Sequence, residues 1–173
     1  MRVKKSKGRL KKKYPLRIYL DNGRQIPVPS QNDFKSDFIR NHGCSLVGFY
    51  MALRYKGRKK DMRQCLSFCR KNLKCYAKYP LSEISKGINK ICPGSPATYY
   101  ESVTVDALRK KLKKGYMVLF EEGNPIHTVV LLYNAQTGRI LRFSDGGKKT
   151  TTTKKEIEKR TTNGRYRGCV VIK

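Results

Sequence analysis

The sequence predicts an α+β fold with a mostly antiparallel sheet, and three observations lead there. Helical patterns gather between Cys44 and Lys114, while strand-like runs gather after Gly115. Two of the late strands, Ile126 to Tyr133 and Arg139 to Ser144, are joined by Asn134 to Gly138, a loop typical of a hairpin. The segment Cys44–Tyr55, CSLVGFYMALRY, is apolar nearly all round, which suits a helix at the centre of a domain.

Each element follows from a local pattern. Residues 1–13 read as a disordered basic arm, because Lys, Arg, Ser and Gly offer little to bury. Residues 14–173 then form a single domain. Leu16, Ile18 and Leu20 alternate with polar partners, Asp21-Asn22-Gly23 signals a turn, and Ile26 and Val28 alternate again, so Leu16 to Val28 reads as a hairpin. Pro29 to Gly43 reads as a loop leading to the central helix, which Gly43 and Gly57 bracket. Further helices are expected over Lys60 to Asn72 and over Leu81 to Ile91, the latter opened by Pro80 and stopped before Pro93-Gly94. Thr104 is placed to cap a helix that ends at Gly115. Strands are expected over Tyr116 to Glu121, Ile126 to Tyr133 and Arg139 to Ser144. A short helix near Lys154 to Arg160 and a last strand, Gly168 to Ile172, follow. Lys148 to Lys155 is the one low-complexity piece, and no internal repeat is evident.

Composition narrows the function classes. A chain of 173 residues with 38% hydrophobic content supports one domain with its own core. It has no apolar run of about eighteen residues to span a bilayer, and no apolar h-region follows the basic start. A cytoplasmic location is the default expectation. Six irregularly spaced cysteines in a chain of this size read as reduced thiols, not a disulfide framework. Forty Lys and Arg against twelve Asp and Glu give a formal charge of +28. Such a field attracts polyanions, including nucleic acid and acidic peptides, without choosing among them. The basic residues are spread from Lys4 to Arg160, which reads as solvated surface before it reads as a binding footprint.

Two residues stand out chemically. Cys44 opens the central helix, where unpaired N–H groups and the positive dipole end favour a thiolate. A small apolar residue packed in the core is the equal alternative on position alone. His127 begins a strand that otherwise looks buried on both faces. With Asn134 to Gly138 as the hairpin loop, Tyr133 faces Arg139 and His127 faces Asp145. Opposed residues have Cβ atoms about 5 Å apart, so a carboxylate there could fix the imidazole tautomer. A bulge or a four-residue loop would undo that pairing.

A thiol at a helix start, a base on a sheet and an acid behind the base form the pattern of an activated nucleophile. Four stretches, IPVPSQNDF, GCSLVGFYMALRYKG, LRKKLKKGYMVLF and IHTVVLLYNAQTGRILRFSDGG, occur in that order. Together they resemble the C39-like branch of papain-like cysteine peptidases, which includes bacteriocin leader-processing domains. The resemblance covers roughly residues 26–172 and implies a papain-like fold, with the helix-borne Cys44 as nucleophile, His127 as base and Asp145 as orienting acid. It also implies that Gln31, in the segment matching "VPxxxQ", helps form the oxyanion hole. Without the resemblance Gln31 reads as an ordinary polar loop residue. The chain departs from the pattern at Ser45 and Ile126, where the family usually has Gly after the nucleophile and before the His.

The implied activity is hydrolysis of peptide bonds in a peptide or protein substrate, acidic or leader-type, with no cofactor and no metal. Three other readings compete. Cys65, Cys69 and Cys75 with His42 or Cys92 could hold zinc, though CxxxC lacks the tight zinc knuckle. A non-catalytic basic module could bind nucleic acid or another polyanion, with Tyr76, Tyr79, Tyr99 and Tyr100 as stacking platforms. An amidase or acyl transferase could use the same thiol.

Overall fold

The structure, a computed structural model, describes residues 1–5, 14, 16–76, 78–123, 126–144, 149–162 and 168–173. Nine strands and six α-helices lie among them. In chain order they are β1 (Arg2–Lys5), β2 (Leu16–Tyr19), β3 (Gln25–Val28), α1 (Asp37–His42), α2 (Cys44–Tyr55), α3 (Met62–Asn72), α4 (Leu81–Ile91), β4 (Ala97–Tyr100), α5 (Val105–Lys113), β5 (Met117–Glu122), β6 (His127–Asn134), β7 (Arg139–Phe143), β8 (Lys149–Thr152), α6 (Lys154–Thr162) and β9 (Cys169–Ile172). A three-stranded sheet has the order β1-β2-β3, and a six-stranded sheet has the order β4-β9-β5-β6-β7-β8. Every recorded pairing is antiparallel. This is the α+β arrangement expected from helices early and strands late. No helix among the described residues is long and apolar enough to cross a membrane.

The six-stranded sheet is covered on both faces, which explains why β5 and β6 lack the alternation of a half-exposed strand. Leu119, Val130, Leu132 and Phe143 face the core shared with α2. Val118, Phe120, Val129 and Leu131 face a second core closed by Leu108 and Leu112 of α5 and Ile157 of α6. The largely apolar α2 is inside over most of its length: from Cys44 to Leu53 every residue is buried, and only Arg54 and Tyr55 at its end are half-buried. Phe49 stacks on Phe68 of α3 with centroids 5.9 Å apart. Burying such a ring contributes about 2–3 kcal/mol. Helix ends follow their capping residues. Asp61 accepts from the Gln64 N–H and Gln64 reaches back to the Asp61 N–H, a reciprocal box that starts α3 two residues after the expected Lys60. The Thr104 hydroxyl accepts from Ala107 N–H at 3.2 Å, as its position predicted.

Four elements were not expected. Arg2–Lys5, inside the anticipated arm, form β1 on the edge of β2, with Val3 opposite Ile18. Ladder bonds are made by the backbone, so low hydrophobicity does not forbid them; residues 6–13 lie outside the described residues. Asp37–His42, read as loop, form α1, a helix too short to show a full amphipathic period. Ala97–Tyr100 form β4 beside β9. Lys149–Thr152, read as low complexity, form β8 beside β7, consistent with the β-branched run of threonines.

One register differs from expectation. Asn134 pairs with Arg139 and Tyr133 with Ile140, so the turn is the four residues Ala135 to Gly138, and the ladder runs to Val130 opposite Phe143. Asn134 belongs to β6, its side chain accepting from the Gln136 N–H at 3.1 Å to start the turn. The expected pairing of His127 with Asp145 assumed a loop one residue longer. That step fails, and Asp145 itself lies outside the described residues.

Candidate active site

Gly43 serves both helices around the thiol. It ends α1, donating its N–H to Ile39 O at 2.9 Å, and it precedes Cys44 as the first residue outside α2. A Cβ at this position would lie 2.3 Å from Ile39 O and 2.9 Å from Ile39 Cα. Contacts that close to backbone cannot be relieved by a side-chain rotation. Gly43→Ala is therefore expected to destabilise the protein by about 1–3 kcal/mol and to slow alkylation of Cys44 by moving it. Urea unfolding and iodoacetamide rates check both; unchanged values would show that the junction has room.

Cys44 is the first residue of α2 and only 7% exposed. Burial raises its pKa, but other contacts outweigh that. The His127 side chain and the Thr128 backbone beside the sulfur favour its anion, and the charges of His127 and Lys78 act in the same direction, so the thiol lies below its ordinary value. The helix N-terminus adds to the preference for an anion. Cys65 and Cys69, with burial unopposed by such partners, are pushed up to about 12. Cys75 is raised too, again by burial. Of these four thiols, Cys44 alone is shifted toward the thiolate.

His127 and Thr128 open β6, opposite Glu122 and Glu121 of β5. The two glutamates are committed to different cations. Glu122 accepts from Arg142 Nε at 3.0 Å, and the ion pair is largely buried. Glu121 accepts from Lys78 Nζ at 2.7 Å, with Lys78 20% and Glu121 9% exposed. Lys78 is thereby held where its charge reaches Cys44. Sequence reasoning singled out neither Lys78 nor the glutamates. The only available signal was two acidic residues ending a strand next to the histidine, in a chain poor in acids. Nothing in the sequence links Lys78 to position 121.

Gln31 lies in a 3-10 turn, Gln31–Asp33, just after β3. It is 6% exposed, and its Nε2 donates to Arg40 O in α1. The amide nitrogen carries two hydrogens, so one remains for another acceptor. Gln31 Oε1 is buried with no hydrogen-bond partner among the described residues. Gln31 is thus tied to the helix whose end sets Cys44.

Ser45, where Gly is usual in the resembling family, is fully buried, and its Oγ has no hydrogen-bond partner among the described residues. Ile126 is half-buried beside His127. The residues considered for zinc are not gathered. No group of three His, Cys, Asp or Glu able to share a metal occurs among the described residues. Cys65 and Cys69 sit in the hydrophobic core, whereas Cys75 is exposed. The four candidate stacking tyrosines also separate. Tyr79 is buried edge-on against Phe38 at 6.0 Å, so it cannot receive a base, and Tyr99 and Tyr100 are half-buried strand residues. Tyr76 alone of the four is well exposed.

No family model matches the chain, and no curated protein matches it in sequence. Among solved structures, the crystal structure of a provisionally assigned C39-like peptidase from Bacillus anthracis is similar, with a TM-score of 0.55. The match covers 77% of this chain and 90% of that one at 15% identity. At that identity the likeness speaks to fold alone: the chain has an α+β fold similar to that of this peptidase.

Proposed function

We propose that the chain is a cysteine peptidase, with Cys44 as nucleophile, His127 as general base and acid, and Asp145 as the group that orients the imidazole. The observation that carries this reading is Cys44 at the start of a buried helix with His127 and Thr128 beside it, an environment that holds the thiol below its ordinary pKa. A lone core cysteine would instead resemble Cys65. Asp145, two residues beyond the end of β7, enters through the family resemblance.

The chemistry follows from the groups. The Cys44 thiolate attacks the scissile carbonyl carbon, forming a C–S bond and placing the electron pair on oxygen. The Cys44 N–H and the remaining Gln31 amide hydrogen serve as donors to that oxyanion. Collapse breaks the C–N bond, and the His127 imidazolium protonates the departing amine. His127 then takes a proton from water, which attacks the thioester and releases the acid and Cys44. The +28 charge and Lys78 near the thiol favour acidic peptides electrostatically, leader-type peptides included, through encounter rate more than through fit.

A peptide-like thiol trap followed by mapping of the modified cysteine tests the assignment. Labelling should fall on Cys44 well ahead of the other five cysteines. Uniform labelling of all six, or labelling of a different cysteine, would refute it. Labelling at Cys44 with turnover of primary amides but not peptides would move the reading to an amidase.

A further inference from the structure

The opposite end of α2 carries a concave basic surface for which the peptidase chemistry has no use. The helix has twelve residues, so its last turn lies about 16 Å from Cys44 along the axis. The carbonyls there are already satisfied: Ala52 O by Lys56 N, Leu53 O by Arg58 N, Arg54 O by Gly57 N and Tyr55 O by the Arg24 guanidinium at 2.9 Å. The negative end of the helix is thus closed by backbone donors and a single arginine nitrogen, and the Arg54, Arg58 and Lys59 side chains take no part in closing it.

Two cavities of about 250 and 420 Å³ meet at this point and share Arg24 and Arg58. The smaller also takes in Lys56, and the larger adds Arg54 and Lys59. No Asp or Glu lines either cavity. Among the described residues, Arg24, Arg54, Arg58 and Lys59 enter no ion pair. Lys56 Nζ donates to the Lys173 main-chain oxygen at 2.7 Å and to Ser95 Oγ, both in the wall of the smaller cavity; gathering Arg24, Arg54, Arg58 and Lys59 without a carboxylate is unfavourable unless an anion offsets it. Burial, with Arg24 acting the same way, holds the Lys56 ammonium below the ordinary lysine range. A third cavity of about 430 Å³ also borders Arg24; its walls include Leu20, Leu132, Tyr55 and Tyr133, together with Asp21, whose carboxylate is paired with the Met1 ammonium. Basic sites therefore alternate with one that has aromatic and apolar walls.

We propose that this face binds single-stranded nucleic acid, with phosphates in the two basic cavities around Arg24 and Arg58 and a base in the adjoining cavity walled by Tyr55 and Tyr133. Phosphates supply the charge that the cations lack, and a planar ring suits the aromatic wall. An acidic peptide would fill the basic cavities but gives no reason for the third. The site shares no residue with the Cys44 centre, so it does not depend on the peptidase reading.

The test uses the whole chain, fluorescence anisotropy and a labelled single-stranded oligouridylate, with inorganic polyphosphate of equal phosphate number as competitor. Arg24→Gln with Arg58→Gln is compared with Arg109→Gln plus Lys110→Gln, which removes the same charge from the exposed side of α5. At about 0.15 M salt the first pair should weaken binding at least about tenfold and reduce the salt slope by about two. The α5 pair should change affinity less than about twofold and leave the slope alone. Arg58→Gln alone, at an exposed side chain, should carry part of the loss without affecting the fold. Equal losses from both pairs, no binding of the oligonucleotide, or polyphosphate competing better per phosphate than unlabelled oligonucleotide would each overturn the proposal.

Discussion

Cys44→Ala is expected to reduce peptide hydrolysis by at least about ten-thousandfold while leaving the urea midpoint close to that of the parent. The reason for the second half is local. The substitution removes one sulfur from a helix start whose backbone and neighbouring glycine are unchanged, and Ala is the best helix former. His127→Ala should lower turnover comparably, and it should also move the pH profile of Cys44 alkylation. In the parent the midpoint lies below that of an ordinary thiol, because the His127 contacts, the Thr128 backbone and the Lys78 charge outweigh burial. Removing the imidazole leaves burial less opposed, so the thiolate forms only at higher pH and the midpoint rises. Asp145→Asn should leave alkylation near the parent rate yet reduce turnover, since a wrong imidazole tautomer hinders proton transfer more than thiolate formation. A measured peptidase activity that survives Cys44→Ala would remove the catalytic assignment altogether.

The parts of the fold legible in the sequence are those set by local chemistry. α2 and α4 were read to the residue because glycine or proline bounds them and their interiors are apolar or periodic. The hairpin of β2 and β3 followed from Asp21-Asn22-Gly23, and its register, Ile18 opposite Ile26, keeps both β-branched residues in the core. What escaped was fixed by distant partners. β4 exists because β9 offers it an edge, and β1 because β2 does. The β6–β7 register failed by one residue because Asn134 is a turn former that here ends a strand. In a strand, one residue of slip exchanges the faces, so a small error in loop length became a large error in the argument for Asp145. The candidate site shows the same division. Cys44 at a helix start and His127 at a strand start were visible as types in context. The Lys78–Glu121 pair was not, since its partners are far apart in the chain and meet only through the packing of the segment after α3 against β5.

Gln31→Ala is expected to lower the maximal rate of hydrolysis by roughly a hundred- to a thousandfold while leaving the alkylation rate of Cys44 within about twofold. The two readouts separate because they involve different charges. Alkylation by iodoacetamide develops no oxyanion, so it depends on the thiolate and its partners, His127, Thr128 and Lys78, none of which is removed. Hydrolysis passes through a tetrahedral oxyanion, and a donor that meets that oxygen acts mainly in the transition state, lowering kcat more than it raises KM. The side chain is suited to this by its anchoring. Nε2 already donates one hydrogen to Arg40 O, which restricts the direction of the other, and Arg40 lies in the helix that ends at Gly43. The anchor carries its own cost, because Gln31→Ala leaves the Arg40 carbonyl without that donor and removes a buried side chain, worth about 1–3 kcal/mol in stability. Gln31→Glu separates the two contributions. It keeps the size of the side chain but replaces donors with a carboxylate, which would repel an oxyanion, so the proposed role requires that it reduce turnover below the level of the alanine variant and raise the pH needed for alkylation. If Gln31→Ala slows alkylation and hydrolysis by the same factor, the residue acts by placing the helix start and not by meeting the oxyanion.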